Sequence, residues 1–169
     1  HMKGLDRLLK FTLDGHHDVE RLWGELYKKN PEGGMANLDM GWIHWQKIVM
    51  RLTNDPKQSI KLGREFGEKA HAIMGDGGSL TLLAWFDLFE QDFESAIENA
   101  RRATEISPSD GNTAAIAGTV YRNSGKSEES AILLKRAMRL QPYHPKWYAW
   151  QLGISVLVLE KYDEAEEIF

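Results

Sequence analysis

The segment Ser124–Ser127, of sequence SGKS, ends like a phosphate-binding loop, in which a lysine and a hydroxyl group approach nucleotide phosphates and Mg²⁺. The full motif also requires a glycine five residues before Gly125, where this chain has Val120. The segment lies between two helical patterns rather than after a strand, so it predicts a turn and not a nucleotide site. The glycine-rich stretch 75–78 is likewise predicted to stop a helix rather than to cradle phosphate.

The histidines are the other residues with obvious chemistry, because two of them on one helical face can bind zinc. They are spread along the chain as His16, His17, His44, His71 and His144, and none has a second histidine three or four residues away. No serine nucleophile elbow, His-Glu-x-x-His motif or paired-carboxylate arrangement is recognisable. The sequence therefore predicts no catalytic residue, no metal site and no cofactor, in a protein that is not an enzyme.

Composition narrows the class of partner. The 169 residues carry a formal charge of −4 and a pI near 5.9, which gives no overall field for attracting nucleic acid or anionic lipid. A basic strip is conceivable from Arg101, Arg102, Lys135, Arg136 and Arg139. No apolar run approaches the roughly 18 residues of a membrane span. Cysteine is absent, which fits a reducing compartment. We expect a cytoplasmic protein that binds neither nucleic acid nor membrane.

Residues 110–142 give the clearest structural pattern, with two helical stretches separated by a turn near the middle. The spacing of its small residues and prolines recurs along the chain. Ala103 and Ala137 are 34 positions apart, as are Pro108 and Pro142. A helix-turn-helix unit repeated at that period is typical of a tetratricopeptide array.

The residues of this unit carry a family resemblance. Gly118, Tyr121, Ala137 and Pro142 fall on the small, aromatic, small and proline positions of the tetratricopeptide-repeat (TPR) consensus, so the chain resembles a TPR protein. The resemblance implies an all-α fold: a TPR-type helical-hairpin solenoid wound as a right-handed superhelix, with about four hairpins and the last one truncated. It also implies a protein that binds other proteins.

The predicted hairpins make residues 3–169 a single solenoid domain, preceded by His1 and Met2, which resemble a cloning remnant. In the first hairpin we expect a helix break at Asp14-Gly15. The last hairpin lacks the polar closing helix that solenoids use for solubility, so we expect a longer chain or another molecule to cover its apolar end. The hairpins span approximately 3–30, 33–74, 77–107, 110–141 and 146–169, the last one partial.

The second hairpin is irregular. From Gly41 to Ala70 is 29 residues, whereas from Gly118 to Ala137 is 19. Ten extra residues must therefore lie around the turn at 53–56, as a longer helix, a longer loop, or both. The bulge is either a contact surface or a surface elaboration without a role.

Two segments resemble a narrower group. Residues 54–73, with the long turn, and 140–169, with a double proline followed by Trp147-Tyr148, look like TPR regions downstream of bacterial class III adenylate/guanylate cyclase domains. Similar regions follow some winged-helix transcription regulators. The likeness covers about 30–169 and excludes the cyclase catalytic domain, so it implies a regulatory or interaction segment with no catalytic residue.

The resemblance also implies a binding groove, because the first helix of each TPR hairpin lines the inner surface with positions 2, 5, 9, 12 and 13. Gly41, Ala84, Gly118 and Gly153 are taken as position 8. The groove is then predicted to contain Leu38, Trp42, Trp45, Gln46, Thr81, Trp85, Leu88, Phe89, Asn112, Ala115, Thr119, Arg122, Asn123, Trp147, Trp150, Ile154 and Leu157.

Tryptophans are strong anchors for a partner, and Arg122 is the one basic residue in the predicted groove. We therefore expect a non-catalytic scaffold that binds an apolar or amphipathic peptide or partner segment. The alternative is a regulatory or self-association segment of a larger bacterial signalling protein, a nucleotidyl cyclase or a transcription regulator. Tryptophans such as Trp23 and Trp150 could instead pack against adjacent helices.

Overall fold

A computed structural model describes residues 12–169, and within that range the regular secondary structure is helical, without strands. The helix predicted at 3–13 lies almost entirely outside the described residues. The chain divides into two compact units that meet between Gly75 and Asp76. The organisation of residues 3–169 as a single domain stays a prediction.

The first unit contains three described helices: α1 (Leu13–Lys29), α2 (Gly34–Val49) and α3 (Pro56–Met74). Helix α1 packs on α2, and α2 packs on α3. The expected break at Asp14-Gly15 is wrong. Helix α1 starts before it because the Thr12 hydroxyl accepts a hydrogen bond from the Gly15 backbone N–H, 3.1 Å away.

The core of the first unit forms where α1 crosses α2. Val19, Trp23 and Ile43 are at most 1% exposed and contact one another. Trp23 is thus a packing residue. A fully buried indole of this size stabilises the α1–α2 pair through its large apolar contact area.

The extra length of the second hairpin begins in its first helix. Backbone φ is positive at Arg51, which follows α2, and at Gly125, which follows the first helix of the 110–141 hairpin. From Gly41 to Arg51 is ten residues, whereas from Gly118 to Gly125 is seven. Three of the ten extra residues therefore lengthen this side of the hairpin by nearly one turn.

The other seven extra residues divide between the loop and α3. From Asp55, which caps α3, to Ala70 is fifteen residues, against eleven from the equivalent cap Lys126 to Ala137. Helix α3 is thus longer by four residues, about one turn. The last three lie between Arg51 and Asp55. Of the options predicted from sequence, both a longer helix pair and a longer loop are present.

The second unit consists of three hairpins. Neighbouring helices pack in chain order, and the first helices of successive hairpins also contact one another. The helices are α4 (Gly77–Phe89), α5 (Phe93–Ile106), α6 (Gly111–Asn123), α7 (Ser127–Leu140), α8 (Lys146–Val158) and α9 (Tyr162–Ile168).

The glycine-rich stretch 75–78 has two roles rather than one. Gly75 ends α3 in the left-handed conformation with φ 62°, as predicted. Gly77 instead begins α4, because the Asp76 carboxylate accepts a hydrogen bond from the Ser79 backbone N–H at 3.0 Å.

Small residues allow the paired helices of the second unit to approach closely. Ala84, Ala100 and Ala117 are fully buried in one cluster between α4, α5 and α6. A β-carbon on Gly118 would lie 3.0 Å from Cγ of Leu134, which is tighter than ordinary contact. The small residue at this TPR consensus position, Gly118, therefore allows close contact with the second helix of the same hairpin.

Candidate binding surface

In the first unit, the predicted groove residues on α2 are mostly interior. Leu38 is 6% exposed, Trp45 8% and Gln46 0%. Trp42 is half-buried, packs beside the α1–α2 core and meets Trp45 edge to face at 5.3 Å between ring centroids. On this helix, Trp42 alone of the four predicted residues has appreciable exposure.

Gln46 has a structural partner in α1. Its side-chain Oε1 lies 2.7 Å from Nδ1 of His16, which is 2% exposed. Beside them, Glu20 pairs with the Lys47 ammonium group at 2.5 Å, and this hydrogen bond is the main cause that lowers the pKa of Glu20. Gln46 therefore fixes α1 against α2 and is not an accessible groove residue.

Helix α4 contributes a partly exposed aromatic surface to the second unit. Trp85 and Leu88 pack on the cluster between α4 and α6 but keep part of their side chains exposed. Phe89 is also half-buried, with its ring 6.1 Å from that of Trp85. Thr81 is fully buried, and its hydroxyl donates to the Gly78 carbonyl oxygen at 2.7 Å.

Helix α6 contributes small, buried residues to the predicted groove set. Ala115 is 0% exposed and Thr119 3%, and the Thr119 hydroxyl donates to the Ala115 carbonyl oxygen at 3.0 Å. Asn112 is half-buried, with Oδ1 accepting from the Tyr148 hydroxyl at 3.4 Å. Of the predicted set on α6, Asn112 and Arg122 are half-buried, and Asn123 at the C-terminal end is exposed.

Helix α8 presents the most accessible apolar surface of the predicted groove. Trp150 is 59% exposed and Leu157 41%, while Ile154 is half-buried. Val158, which was not in the predicted groove set, is 62% exposed. The spacing i, i+4, i+7, i+8 places these residues, the α8 stripe, within an arc of about 100°.

Two further aromatic residues lie at the same end of the second unit. Trp147 packs against the core and meets Tyr148 edge to face at 4.4 Å. Phe169 is 59% exposed, yet its ring lies 5.2 Å from that of Trp150 and covers Gly153. Trp147 is thus mainly a packing residue, whereas Trp150 and Phe169 form an exposed aromatic pair.

Arg122 provides the charge at the C-terminal end of α6. Among residues 12–169 its buried Nη1 has no hydrogen-bond partner, and Nη2 lies 3.3 Å from Oδ1 of exposed Asn123. Burial lowers the pKa of Arg122 below its ordinary value, and no carboxylate within residues 12–169 offsets that effect. The guanidinium therefore stays in a partly desolvated position without a counter-charge.

Two of the basic residues considered for a strip, Arg101 on α5 and Lys135 on α7, form ion pairs with glutamates. Arg101 pairs with Glu98 at 2.7 Å and also contacts Glu105. Lys135 pairs with Glu164 at 2.6 Å. Both cations are therefore matched by carboxylates, in contrast to Arg122.

The remaining sequence features concern nucleotide, metal or membrane binding. In the segment Ser124–Ser127, residues 124–126 form the turn between α6 and α7, and Ser127 begins α7. Across the described range, no three His, Asp or Glu side chains gather in an arrangement suited to a metal ion. None of the helices in that range is long and apolar enough to cross a bilayer.

Solved structures provide the comparison for this arrangement. TTC0263, a thermophilic TPR protein of Thermus thermophilus, matches with 18% sequence identity and a TM-score of 0.72, over 98% of this chain and 87% of that one. The fold is that of TPR proteins. YrrB, described as a TPR protein with an unusual peptide-binding site, has 19% identity and a TM-score of 0.57, covering 92% of this chain and 77% of its own. MamA has 15% identity and a TM-score of 0.57, covering 88% and 81%.

No protein-family model matches the sequence, and no curated protein matches it. The resemblance to cyclase-associated TPR regions therefore stays a prediction.

The TPR register could have found the residues that the sequence analysis missed. Val158 is position 13 of its repeat when Gly153 is position 8. Phe169 lies 16 residues after Gly153, as Leu134 lies 16 after Gly118. The register does not predict exposure, because Leu134, at the position equivalent to Phe169, is fully buried.

Proposed function

We propose that this chain is a non-catalytic scaffold that binds an amphipathic segment of a partner protein on the first helices of the second unit. The observation that carries the proposal is the exposure of the α8 stripe, in which Trp150, Leu157 and Val158 are between 41% and 62% exposed. A cluster of large apolar side chains on one helical face is typical of a protein-contact surface. The TPR fold, and a peptide-binding TPR neighbour, support the proposal.

Magnitudes indicate how much of the surface such a partner must use. Completing the burial of these three half-covered side chains would contribute on the order of 4 kcal/mol, at about 1.5–3 kcal/mol for each fully buried side chain. Association costs about 4–15 kcal/mol. A partner held by the α8 stripe must therefore also contact α4, where Trp85, Leu88 and Phe89 offer further apolar area.

Self-association in a larger signalling protein is the second candidate. The observation that favours it is the exposed aromatic side chains on and after α9, where Phe169, beside Trp150, is 59% exposed and Tyr162 is 64% exposed. Light scattering over a hundredfold range of protein concentration distinguishes the two, because a scaffold that binds only foreign segments stays at one molar mass.

A displayed library of random 12-residue peptides tests the proposed scaffold function. Selected peptides should lose at least about tenfold in affinity for the Trp150→Ala, Leu157→Ala double variant, because both side chains belong to the proposed contact. Ile132→Ala is the matched control, since Ile132 is a 66% exposed apolar residue on α7. If no peptide is enriched, or if the double variant binds as well as the control, the proposal is wrong.

A further inference from the structure

Arg122 occupies a distinctive place in the second unit. It is position 12 of its repeat, on α6. The same position holds Leu88 on α4, 34 residues earlier, and Leu157 on α8, 35 residues later. Because α4 packs beside α6 and α6 beside α8, its position is flanked by positions that hold exposed or half-exposed apolar residues. It is the one charged member of the predicted groove set.

The position is costly for a cation without a partner. A buried guanidinium N–H that lacks an acceptor loses its water without compensation, and apolar surroundings increase the penalty. Arg122 does lie in the last turn of α6, where the helix dipole favours positive charge. That effect acts along the helix axis and supplies no acceptor for Nη1.

We infer that the segment bound on α4, α6 and α8 carries one aspartate or glutamate, flanked by apolar residues, and that its carboxylate pairs with Arg122. The inference rests on the proposed scaffold function and specifies the chemistry of the partner. A planar guanidinium binds a carboxylate through parallel hydrogen bonds from its accessible N–H groups, so the partner would supply the counter-charge that Arg122 lacks within residues 12–169.

A singly charged group fits the position better than a phosphate does. A phosphate ester carries about −1.5 to −2 at neutral pH. One arginine would leave part of that charge unmatched between apolar side chains, at a substantial desolvation cost. A carboxylate is neutralised by one guanidinium, and the apolar residues around it keep water from the pair.

The test uses two displayed peptide libraries that differ at one position. Both contain random 12-residue peptides rich in apolar residues, with a fixed central glutamate in one and a fixed central glutamine in the other. Peptides from the glutamate library should be enriched about tenfold or more over the glutamine library on the wild-type chain, because glutamine cannot supply the charge. On Arg122→Met the ratio should fall to about one.

Arg139→Met is the matched control, because Arg139 is an exposed arginine in the last turn of α7. It should keep the wild-type ratio, and it also controls for loss of a favourable helix-dipole charge. Thermal unfolding of both variants shows whether they fold.

The outcomes separate the two proposals. Equal enrichment from both libraries, lost on Trp150→Ala, would overturn the role of Arg122 and keep the scaffold. A lower unfolding temperature of Arg122→Met with an unchanged library ratio would also overturn it, since that pattern indicates a structural role. Failure of both libraries to yield a binder would overturn the scaffold function itself.

Discussion

The hydroxyl oxygens of Ser130 and Ser155 lie 2.9 Å apart, and both residues are fully buried. Ser130 belongs to α7 and Ser155 to α8, so this hydrogen bond joins two successive hairpins of the second unit. Ser155 also donates to the Gln151 carbonyl oxygen at 2.9 Å. Its proton is thus used within α8, and Ser130 is the donor of the bond between the helices.

This polarity predicts an asymmetry between two substitutions. Ser155→Ala should reduce the free energy of unfolding by about 1–3 kcal/mol, because the buried Ser130 hydroxyl loses its partner. Ser130→Ala should cost about 0.5–1.5 kcal/mol, since Ser155 keeps its bond to Gln151. Urea unfolding followed by circular dichroism measures both. A larger loss for Ser130→Ala would reverse the assigned donor.

The turns between paired helices predict stabilising substitutions. Gln91 and Glu160 have positive φ, of 63° and 58°, at the turn position where the 110–141 hairpin has Gly125. A non-glycine residue in the left-handed region is strained by its β-carbon, at about 1–2 kcal/mol. Glycine removes this strain but loses more backbone entropy on folding. The net effect of Gln91→Gly and of Glu160→Gly should be a free energy of unfolding that is higher by about 0.5–1 kcal/mol.

Gly125→Ala is the matched control for these turn variants. Gly125 has φ 80° and no neighbouring atom within 4 Å of an added β-carbon. Any destabilisation by Gly125→Ala therefore reports backbone conformation rather than a steric clash, and about 1 kcal/mol is expected. Stabilisation by this substitution would contradict the conformational explanation.

Two glycines at other positions predict alanine substitutions of opposite sign. An added β-carbon on Gly77 would lie 2.6 Å from the Ala103 carbonyl oxygen, and this backbone atom cannot move freely. Gly77→Ala should therefore cost about 1–3 kcal/mol. Gly24 lies inside α1, and no atom of residues 12–169 comes within 4 Å of its added β-carbon, so Gly24→Ala should stabilise by up to about 1 kcal/mol. Thermal unfolding of both variants provides the comparison.

Two groups on α2 predict opposing dependences of stability on pH. Burial lowers the pKa of His44, stacked on Phe66, to about 4. The unfolded chain then binds the additional proton between about pH 4 and 6.5, so His44 makes stability rise with pH in that window. Burial raises the pKa of Asp39 to about 7. The folded chain binds the additional proton there, so Asp39 makes stability fall as pH rises from about 4 to 7.

Variants separate these two contributions. Asp39→Asn should leave the His44 effect, with an unfolding free energy that rises by on the order of 1–2 kcal/mol from pH 4 to 6.5 after allowance for solvent screening of the half-buried ring. His44→Gln should leave the Asp39 effect, with stability that falls over the same range. Urea unfolding at several pH values measures each slope. If the two variants share one sign of slope, at least one pKa direction is wrong.

The sequence by itself determined the helical hairpins, because their signals are local. A proline two residues after a helix and a glycine with positive φ set the ends of α6 and α7 through their own backbone chemistry, whatever surrounds them. The 34-residue spacing between Ala103 and Ala137 also indicated that the hairpins repeat. The start of α1 was missed because it depends on one side-chain cap, at Thr12, which outweighs the glycine at position 15.

Only the tertiary structure decided which candidate binding residues are accessible. Trp23 and Trp150 had the same two interpretations from sequence, yet they are 0% and 59% exposed. Helical spacing fixes the direction of a side chain around its own helix, whereas exposure depends on what the neighbouring helices cover. Helices α1 and α2 enclose Trp23, while the helices of the second unit leave the α8 stripe partly open and Arg122 half-buried.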